Sequence, residues 1–136
     1  MAGYSNRSLV DKLGIKAAFK ISILKAPSGY AKTLGKLPED VRTLANPKSS
    51  MDFIHFFTKN RKDLEKRIGP LKKSLAPHGM IWVSWPKAAS KIPTDVNENV
   101  VREIALKNGL VDIKVCAVDE TWSGLKLVIP LKDRAK

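Results

Sequence analysis

MDFIHFF, at residues 51–57, is a run in which a single side chain is charged. A strand that is apolar on both faces is typical of a parallel sheet covered by helices on each side. Leucine and isoleucine then recur at spacings of four, three and four, which predicts an amphipathic helix. These positions are Leu64, Ile68, Leu71 and Leu75. A buried strand followed by a helix is the repeating unit of an α/β fold.

Strands and helices alternate along the rest of the chain. Further strands are predicted at 18–24, 80–85, 111–118 and 125–131, and further helices at 30–36 and from Asp95 through Ala105. Residues 41–45 fit either a strand or a helix. The turn at 119–124 is too short for a helical crossover, so the last strand is predicted to be antiparallel. The predicted fold class is α/β, with a mainly parallel Rossmann-like sheet and a C-terminal antiparallel hairpin. This pattern resembles a truncated class I methyltransferase.

Local signals predict helix ends and the buried side of one strand. Thr58 is predicted to cap the helix that follows it. Asp95 and Glu98 have the spacing of a capping box. Alternation within 111–118 predicts that three side chains point inward. These are Val111, Ile113 and Val115.

Length and composition fit one domain with a real core. The chain has 136 residues, of which 43% are hydrophobic and 28% charged. We expect a polar N-terminal arm at 1–17 and a single α/β domain at 18–136. One cysteine, Cys116, excludes an intrachain disulfide and suits a reducing compartment. Since no signal-like or membrane-length apolar segment is present, we expect a cytoplasmic protein with no membrane partner.

The net charge of +12 is concentrated in the first half of the chain. Residues 1–73 hold 16 Lys and Arg against 6 Asp and Glu, a net charge of +10. Such a field attracts nucleic acid, small anions or acidic proteins, or it serves solubility alone. The candidate nucleic-acid surface is the cationic face of the helix after Thr58, although Asp63 and Glu65 interrupt it. Its residues are Lys59, Arg61, Lys62, Lys66, Arg67, Lys72 and Lys73.

A ligand site is predicted at the carboxyl edge of the sheet. Loops that follow parallel strands emerge on one edge, where the ligands of open α/β sheets bind. The loops concerned are 27–30, 58–59, 85–91 and 119–123. Apolar walls with a few polar groups are typical of ligand pockets, so six residues along this edge are candidate ligand-binding residues. These are Tyr30, Trp85, Lys87, Asp119, Glu120 and Trp122, and the last five are predicted to surround one cleft. The alternative is that the tryptophans seal the core and Asp119 fixes the turn.

Cofactor and metal signatures are incomplete. The loop at 25–30 holds one glycine, and residues 41–46 after the second strand hold no acid, so we expect neither a dinucleotide nor S-adenosylmethionine as cofactor. His55, His78 and Cys116 lack partners at metal-ligand spacing and are expected to be structural.

Several segments carry a resemblance to a known family. They are GMIWVSWPK at 79–87, residues 95–102 and, above all, GLVDIKVCAVDETWSGLK at 109–126. GYS at 3–5 and KLGIK at 12–16 fit the same pattern. The sequence is similar to an uncharacterised bacterial family catalogued as a domain of unknown function. The resemblance carries no activity to this chain. We therefore expect a binding domain without catalytic activity. The alternatives are a nucleic-acid-associated basic protein and an enzyme of unknown chemistry.

Overall fold

A mixed sheet of six strands runs through the computed structural model, which describes residues 8–134. The strands are β1 (Lys20–Leu24), β2 (Arg42–Thr43), β3 (Met51–Phe57), β4 (Leu75–Pro86), β5 (Val111–Ala117) and β6 (Trp122–Val128). The helices are α1 (Leu9–Leu13), α2 (Tyr30–Leu34), α3 (Arg61–Lys73), α4 (Glu98–Lys107) and α5 (Leu131–Arg134), with a 3-10 turn at Ala88–Ser90. None of the helices in this part of the chain has the length and apolarity needed to cross a bilayer.

The strand order is β2-β1-β3-β4-β6-β5. The β1–β2, β1–β3 and β3–β4 pairs are parallel, whereas β6 runs antiparallel to both β4 and β5. The predicted fold class is therefore confirmed: the sheet is mainly parallel, with an antiparallel hairpin at its C-terminal end. The ambiguous segment at 41–45 forms the short strand β2. The last strand begins at Trp122 rather than at 125, and Leu131 opens a helix instead of ending the strand.

Helices cover both faces of the sheet and produce two hydrophobic clusters. On one face, Leu64 and Ile68 of α3 and Ile104 of α4 pack over the central strands. On the other, Leu13 of α1 and Tyr30 of α2 pack over that side of the same strands. This double cover explains why 51–57 is apolar on both sides, since a strand covered on both faces has no solvent side.

The part of the predicted N-terminal arm that the structure describes packs into the hydrophobic cluster under α1 and α2. Leu13 and Ile15 are buried, and Nε1 of Trp82 donates a hydrogen bond to the carbonyl oxygen of Leu13 at 2.8 Å. Helix α1, which lies within the segment predicted as an arm, thus packs against the sheet. Residues 1–7 of the predicted arm lie outside the described residues.

The cap of α3 is Asn60, and the prediction that Thr58 caps this helix is wrong. The Asn60 side chain accepts a hydrogen bond from the backbone N–H of Asp63 at 3.2 Å. The Thr58 hydroxyl instead accepts from the backbone N–H of Asn60 at 3.2 Å. Thr58 therefore stabilises the loop at residues 58–60, immediately before α3. The helix ends at Lys73, so Leu75 belongs to β4.

Asn97 caps α4, which corrects the capping box predicted for Asp95 and Glu98. The Asn97 side chain accepts from the backbone N–H of Val100 at 2.9 Å. Asp95 accepts instead from the backbone N–H of Arg61 at 2.7 Å. A carboxylate is favoured at a helix N-terminus, so Asp95 ties the loop before α4 to the start of α3.

Strand β5 lies at the edge of the sheet, and the inward orientation predicted for Ile113 and Val115 is wrong. Their exposed fractions are 54% and 46%, and Val111 is only partly buried. An irregularity between Asp112 and Lys114 shifts the register against β6. Apolar alternation predicts two faces of a strand, but it does not show how far the covering helices extend toward the sheet edge.

Replacement of Gly124 by alanine tests the packing between β4 and β6. The added Cβ would lie 2.7 Å from the Ser84 hydroxyl and 3.2 Å from the Trp82 ring, both of which are fully buried. We expect Gly124→Ala to lower the free energy of unfolding by about 1–3 kcal/mol, measured by urea denaturation. As a control, Ser123→Ala should change it by less than about 0.5 kcal/mol. Equal stability of the two variants would contradict this packing.

Candidate functional site

The loops that follow β4 and precede β6 meet at the carboxyl edge of the parallel strands. The backbone N–H of Lys87 donates to the carbonyl oxygen of Thr121 at 2.8 Å. The Lys87 ammonium donates to the carbonyl oxygen of Asp119 at 2.7 Å. The loops at 85–87 and 119–122 therefore share one edge, as the topology predicts.

The two edge tryptophans lie on opposite faces of the sheet, so the prediction of one shared cleft is wrong. Trp85 belongs to the cluster under α3 and α4, and Trp122 to the cluster under α1 and α2. In the β4–β6 ladder Trp85 is opposite Ser123, whereas Trp122 is opposite Pro86. Successive residues of a strand point to opposite faces, so this offset of one residue separates the rings. Both are buried, with exposed fractions of 6% and 9%.

The other predicted site residues have different surroundings. Tyr30 is buried beneath the edge. The Asp119 carboxylate accepts from the backbone N–H groups of Thr121 and Trp122 at 2.8 and 2.7 Å, so it fixes the turn before β6. Glu120 is exposed at the tip of that turn. A role of these residues in ligand binding stays a prediction.

A cavity of about 400 Å³ lies outside the carboxyl ends of β1 and β3. The chain leaves β1 toward β2 on one side, whereas β3 is followed by α3 and β4 on the other. This is the topological switch point of the sheet, where ligands of open α/β folds bind. The cavity is lined by Lys25, Phe57, Thr58, Lys59, Asn60, Asp63 and Trp122. We call it the switch-point cavity.

Among these lining residues, only Lys59 and Trp122 are predicted site residues, and they belong to two different predicted sites. Lys25, Asn60 and Asp63 were missed. A signal was present, because Lys25 directly follows β1 and the 58–59 loop follows β3. What was lacking was the strand order, which makes β1 and β3 neighbours.

The switch-point cavity is cationic on balance. Nζ of Lys25 is 2.9 Å from a carboxylate oxygen of Asp63, and both groups are partly exposed. Lys59 is a second, exposed cation, and its carbonyl oxygen accepts a hydrogen bond from the Thr94 hydroxyl at 2.7 Å. Two amides at the start of α3 already donate to side chains of this chain, Asp95 and Asn60. Binding of an anion in the cavity would therefore depend on the lysine ammonium groups rather than on these two amides.

A buried polar network lies behind Phe57, one of the residues that line this cavity. The Tyr30 hydroxyl is 2.6 Å from Nδ1 of His55, and Nε2 of His55 is 2.7 Å from the Ser84 hydroxyl. Burial lowers the pKa of His55 to about 3 and raises the pKa of the Tyr30 hydroxyl. His55 is therefore neutral near pH 7, and it stacks on Phe57 with ring centroids 4.1 Å apart. The Trp122 ring contacts Phe57 edge to face, with the ring centroids 5.2 Å apart, and both rings line the cavity.

A second cavity, of about 370 Å³, lies beside Trp85 under the loop between β4 and α4. Its walls are mainly apolar, with Lys91 as its charged group. The lining residues are Trp85, Pro86, Ala88, Lys91, Ile92, Pro93, Thr94, Val96 and Asn97. The two edge tryptophans thus line different cavities.

The cations predicted to bind nucleic acid on α3 are not equivalent. Arg61 forms ion pairs with Glu65 and Glu103, at 3.2 and 2.9 Å. Arg67 lies over the Phe56 ring, 5.3 Å from its centroid. The exposed members share one stripe of the helix, since they are spaced by one and two turns. They are Lys62, Lys66 and Lys73. Nucleic-acid binding by this helix stays a prediction.

The remaining histidine and the cysteine lie apart from these cavities. His78 is exposed, and its Nε2 is 2.9 Å from the Asp52 carboxylate. Cys116 is partly buried in β5. Within residues 8–134 no group of three or more His, Cys, Asp and Glu side chains is arranged to hold a metal ion.

A family model with the description "Protein of unknown function (DUF3052)" matches residues 45–131. The matched segment runs from the loop before β3 to the first residue of α5. A comparison of the sequence with curated proteins gave no match.

Several solved structures with a similar fold are methyltransferases. A SAM dependent methyltransferase from Aquifex aeolicus has a TM-score of 0.61 at 15% identity, covering 90% of this chain and 88% of that one. A putative type 11 methyltransferase from Sulfolobus solfataricus has a TM-score of 0.64 at 16% identity, covering 92% and 91%. The ribosomal protein L11 methylase of Lactobacillus delbrueckii subsp. bulgaricus has a TM-score of 0.57 at 12% identity, covering 89% and 74%. At such identities the likeness shows the fold alone.

Removal of the Trp85 ring should destabilise the protein as the loss of a core side chain does. We expect Trp85→Ala to lower the free energy of unfolding by about 3–5 kcal/mol, measured by urea denaturation. Trp85→Phe, which keeps most of the apolar volume, should cost clearly less. A cost below about 1 kcal/mol for the alanine variant would contradict the packing of this ring.

The buried state of His55 predicts how stability depends on pH. Its pKa is about 3 in the folded protein and about 6.5 in the unfolded chain, so the unfolded chain takes up a proton first as the pH falls. The contribution of His55 is complete above about pH 6.5 and is lost toward pH 3, by up to about 1.4 kcal/mol per pH unit. Urea denaturation between pH 7 and pH 5 measures this loss.

The His78→Gln variant allows the same point to be tested by NMR. Because His55 is then the remaining histidine, the imidazole signals belong to it alone. We expect these signals to stay those of the neutral ring down to pH 5. A His55 that becomes protonated near pH 6.5 would contradict the buried network.

Proposed function

The chain belongs to the family described as "Protein of unknown function (DUF3052)". We propose that it is a binding domain that holds a small anionic ligand at the carboxyl edge of a methyltransferase-like sheet. The observation that carries the proposal is the switch-point cavity between β1 and β3, with two lysines beside it. Its volume lies within the range of small-molecule sites, which is about 300–1,000 Å³.

The chemistry of the cavity favours an anion with an apolar or aromatic part. Lys59 supplies a cation without a carboxylate partner among the described residues, while Lys25 is shared with Asp63. Asn60 and Thr58 add polar groups at the mouth, and the rings of Phe57 and Trp122 form the floor. A few polar groups on an apolar wall orient a ligand and select for its charge.

The residues at the edge do not fit S-adenosylmethionine, the cofactor implied by the fold. Nucleotide-binding loops after β1 use several glycines for close approach of the backbone. Here that loop has Gly29 alone, with φ of 87° at the start of α2, and Lys25 reaches across to Asp63. Recognition of the ribose uses an acid after β2. Residues 44–51 contain neither Asp nor Glu. We therefore assign no methyl-transfer step to this site.

The cavity side chains support binding rather than catalysis. Its carboxylate, Asp63, is already paired with Lys25 at 2.9 Å. His55 is fully buried and engaged on both ring nitrogens behind Phe57. A general base needs hydrogen-bond reach to the proton that it removes, and neither group has it in this arrangement.

Thermal and calorimetric titration tests this function with three anionic probes: inorganic phosphate, adenosine monophosphate and 4-hydroxybenzoate. A ligand at a hundredfold its dissociation constant should stabilise the protein by about 2.7 kcal/mol. We expect at least one probe to do so and S-adenosylmethionine to show no micromolar binding.

A pair of matched variants localises the binding. Lys59→Gln removes a charged hydrogen-bond donor from the cavity and should weaken binding of the active probe about tenfold or more. Lys62→Gln removes the same charge from the exposed face of α3 and should leave affinity within about twofold. Equal affinity of Lys59→Gln and the unmodified protein, or no stabilisation by any anion, would reject the proposal.

A further inference from the structure

Three residues form a row across the sheet on the face that α1 and α2 cover. Lys126 of β6 is opposite Trp82 of β4 and opposite Lys114 of β5. Directly opposed residues share one face of a sheet, so the two lysine side chains are cross-strand neighbours. Lys114 is exposed, and Lys126 is partly buried between it and the Trp82 ring.

Lys16 joins this row because α1 is fixed to Trp82. The hydrogen bond from Nε1 of Trp82 to Leu13 places the end of α1 beside the row. Gly14 then turns the chain with φ of 89°, and Lys16 follows exposed. Partial burial, together with the charges of Lys114 and Lys16, lowers the pKa of Lys126. Lys126 is therefore close enough to Lys114 and to Lys16 to be repelled by both.

No carboxylate within residues 8–134 forms an ion pair with Lys16, Lys114 or Lys126, since the ion pairs found there involve other cations. Like charges that face each other across strands destabilise a sheet. An anion from outside the chain would remove that cost, so the row is suited to an anionic partner.

We propose that Lys16, Lys114 and Lys126 bind the sugar–phosphate backbone of a nucleic acid without reading its sequence. Lys16 and Lys114 are exposed, and β5 is the edge strand of the sheet, so these lysines suit an extended polyanion better than an enclosed small ligand. Lysine ammonium groups bind phosphate as point charges, and Trp82 is fully buried and offers no ring for base stacking. The net charge of +12 attracts such a partner from a distance.

This surface differs from the cationic face of α3 in its balance of charge. On α3, Asp63 and Glu65 lie among the cations, and Arg61 is paired. The row on the sheet holds three lysines and no carboxylate partner within the described residues. The α3 lysines are therefore a matched control for the loss of three positive charges.

Fluorescence anisotropy with a labelled oligothymidylate and a labelled DNA duplex tests the proposal. The sheet variant carries Lys16→Gln, Lys114→Gln and Lys126→Gln, and the control carries Lys62→Gln, Lys66→Gln and Lys73→Gln. We expect the sheet variant to lose about tenfold or more in affinity, and the control less than about threefold. Across about 50–200 mM salt, the slope of log affinity for the single strand should become shallower by about two units, since each phosphate contact contributes about 0.7.

Three results would overturn the proposal. Affinity of the sheet variant within about twofold of the unmodified protein removes the row as a site. Equal losses in both variants show an effect of net charge alone. Binding of inorganic phosphate to the row, with neither oligonucleotide bound, shows a free-phosphate site instead. Circular dichroism checks that the sheet variant folds. If it does not, the exposed single changes Lys16→Gln and Lys114→Gln test the same slope, each reducing it by about 0.7.

Discussion

Strand β3 is hydrogen-bonded to β1 on one side and to β4 on the other, and both pairings are parallel. Parallel pairing brings the carboxyl ends of all three strands to one edge, and it requires helical or loop connections that cover the faces. The apolar composition of β3 and the position of the switch-point cavity depend on this one arrangement. If β3 ran antiparallel to β1, its carboxyl end would lie at the opposite edge of the sheet, and the 58–63 segment would be separated from Lys25.

Because β3 is covered on both faces, its histidine, His55, is fully buried and would destabilise the fold without hydrogen-bond partners. A buried polar side chain without partners costs free energy, and His55 avoids this through Tyr30 and Ser84. No buried side-chain polar atom in the described residues lacks a hydrogen-bond partner. The network joins α2, β3 and β4, and His55 stacks on the Phe57 ring, which lines the cavity.

The chain has a fold similar to that of methyltransferases, but the loops at the carboxyl edge of its sheet lack the features of a nucleotide-cofactor site. The architecture of the sheet matches those enzymes over about nine-tenths of the chain, while the glycines and the acid that recognise a nucleotide cofactor are missing from the corresponding loops. Fold and site chemistry vary separately, because the core sets the strand order and the loops set the ligand. Two lysines, Lys25 and Lys59, line the cavity at this edge.

The sequence alone determined the fold class, since the apolar run at 51–57, the helical spacing after it and the short turn before β6 are local patterns. It also determined the buried, structural character of His55 and the edge shared by the 85–87 and 119–122 loops. Only the tertiary structure decided that Trp85 and Trp122 point to opposite faces, that Lys25 meets Asp63, and that Lys16 joins Lys114 and Lys126. Each depends on strand order, register or helix docking between residues far apart in the chain. A local pattern predicts an element and its periodicity, whereas these contacts arise only when separate elements pack together.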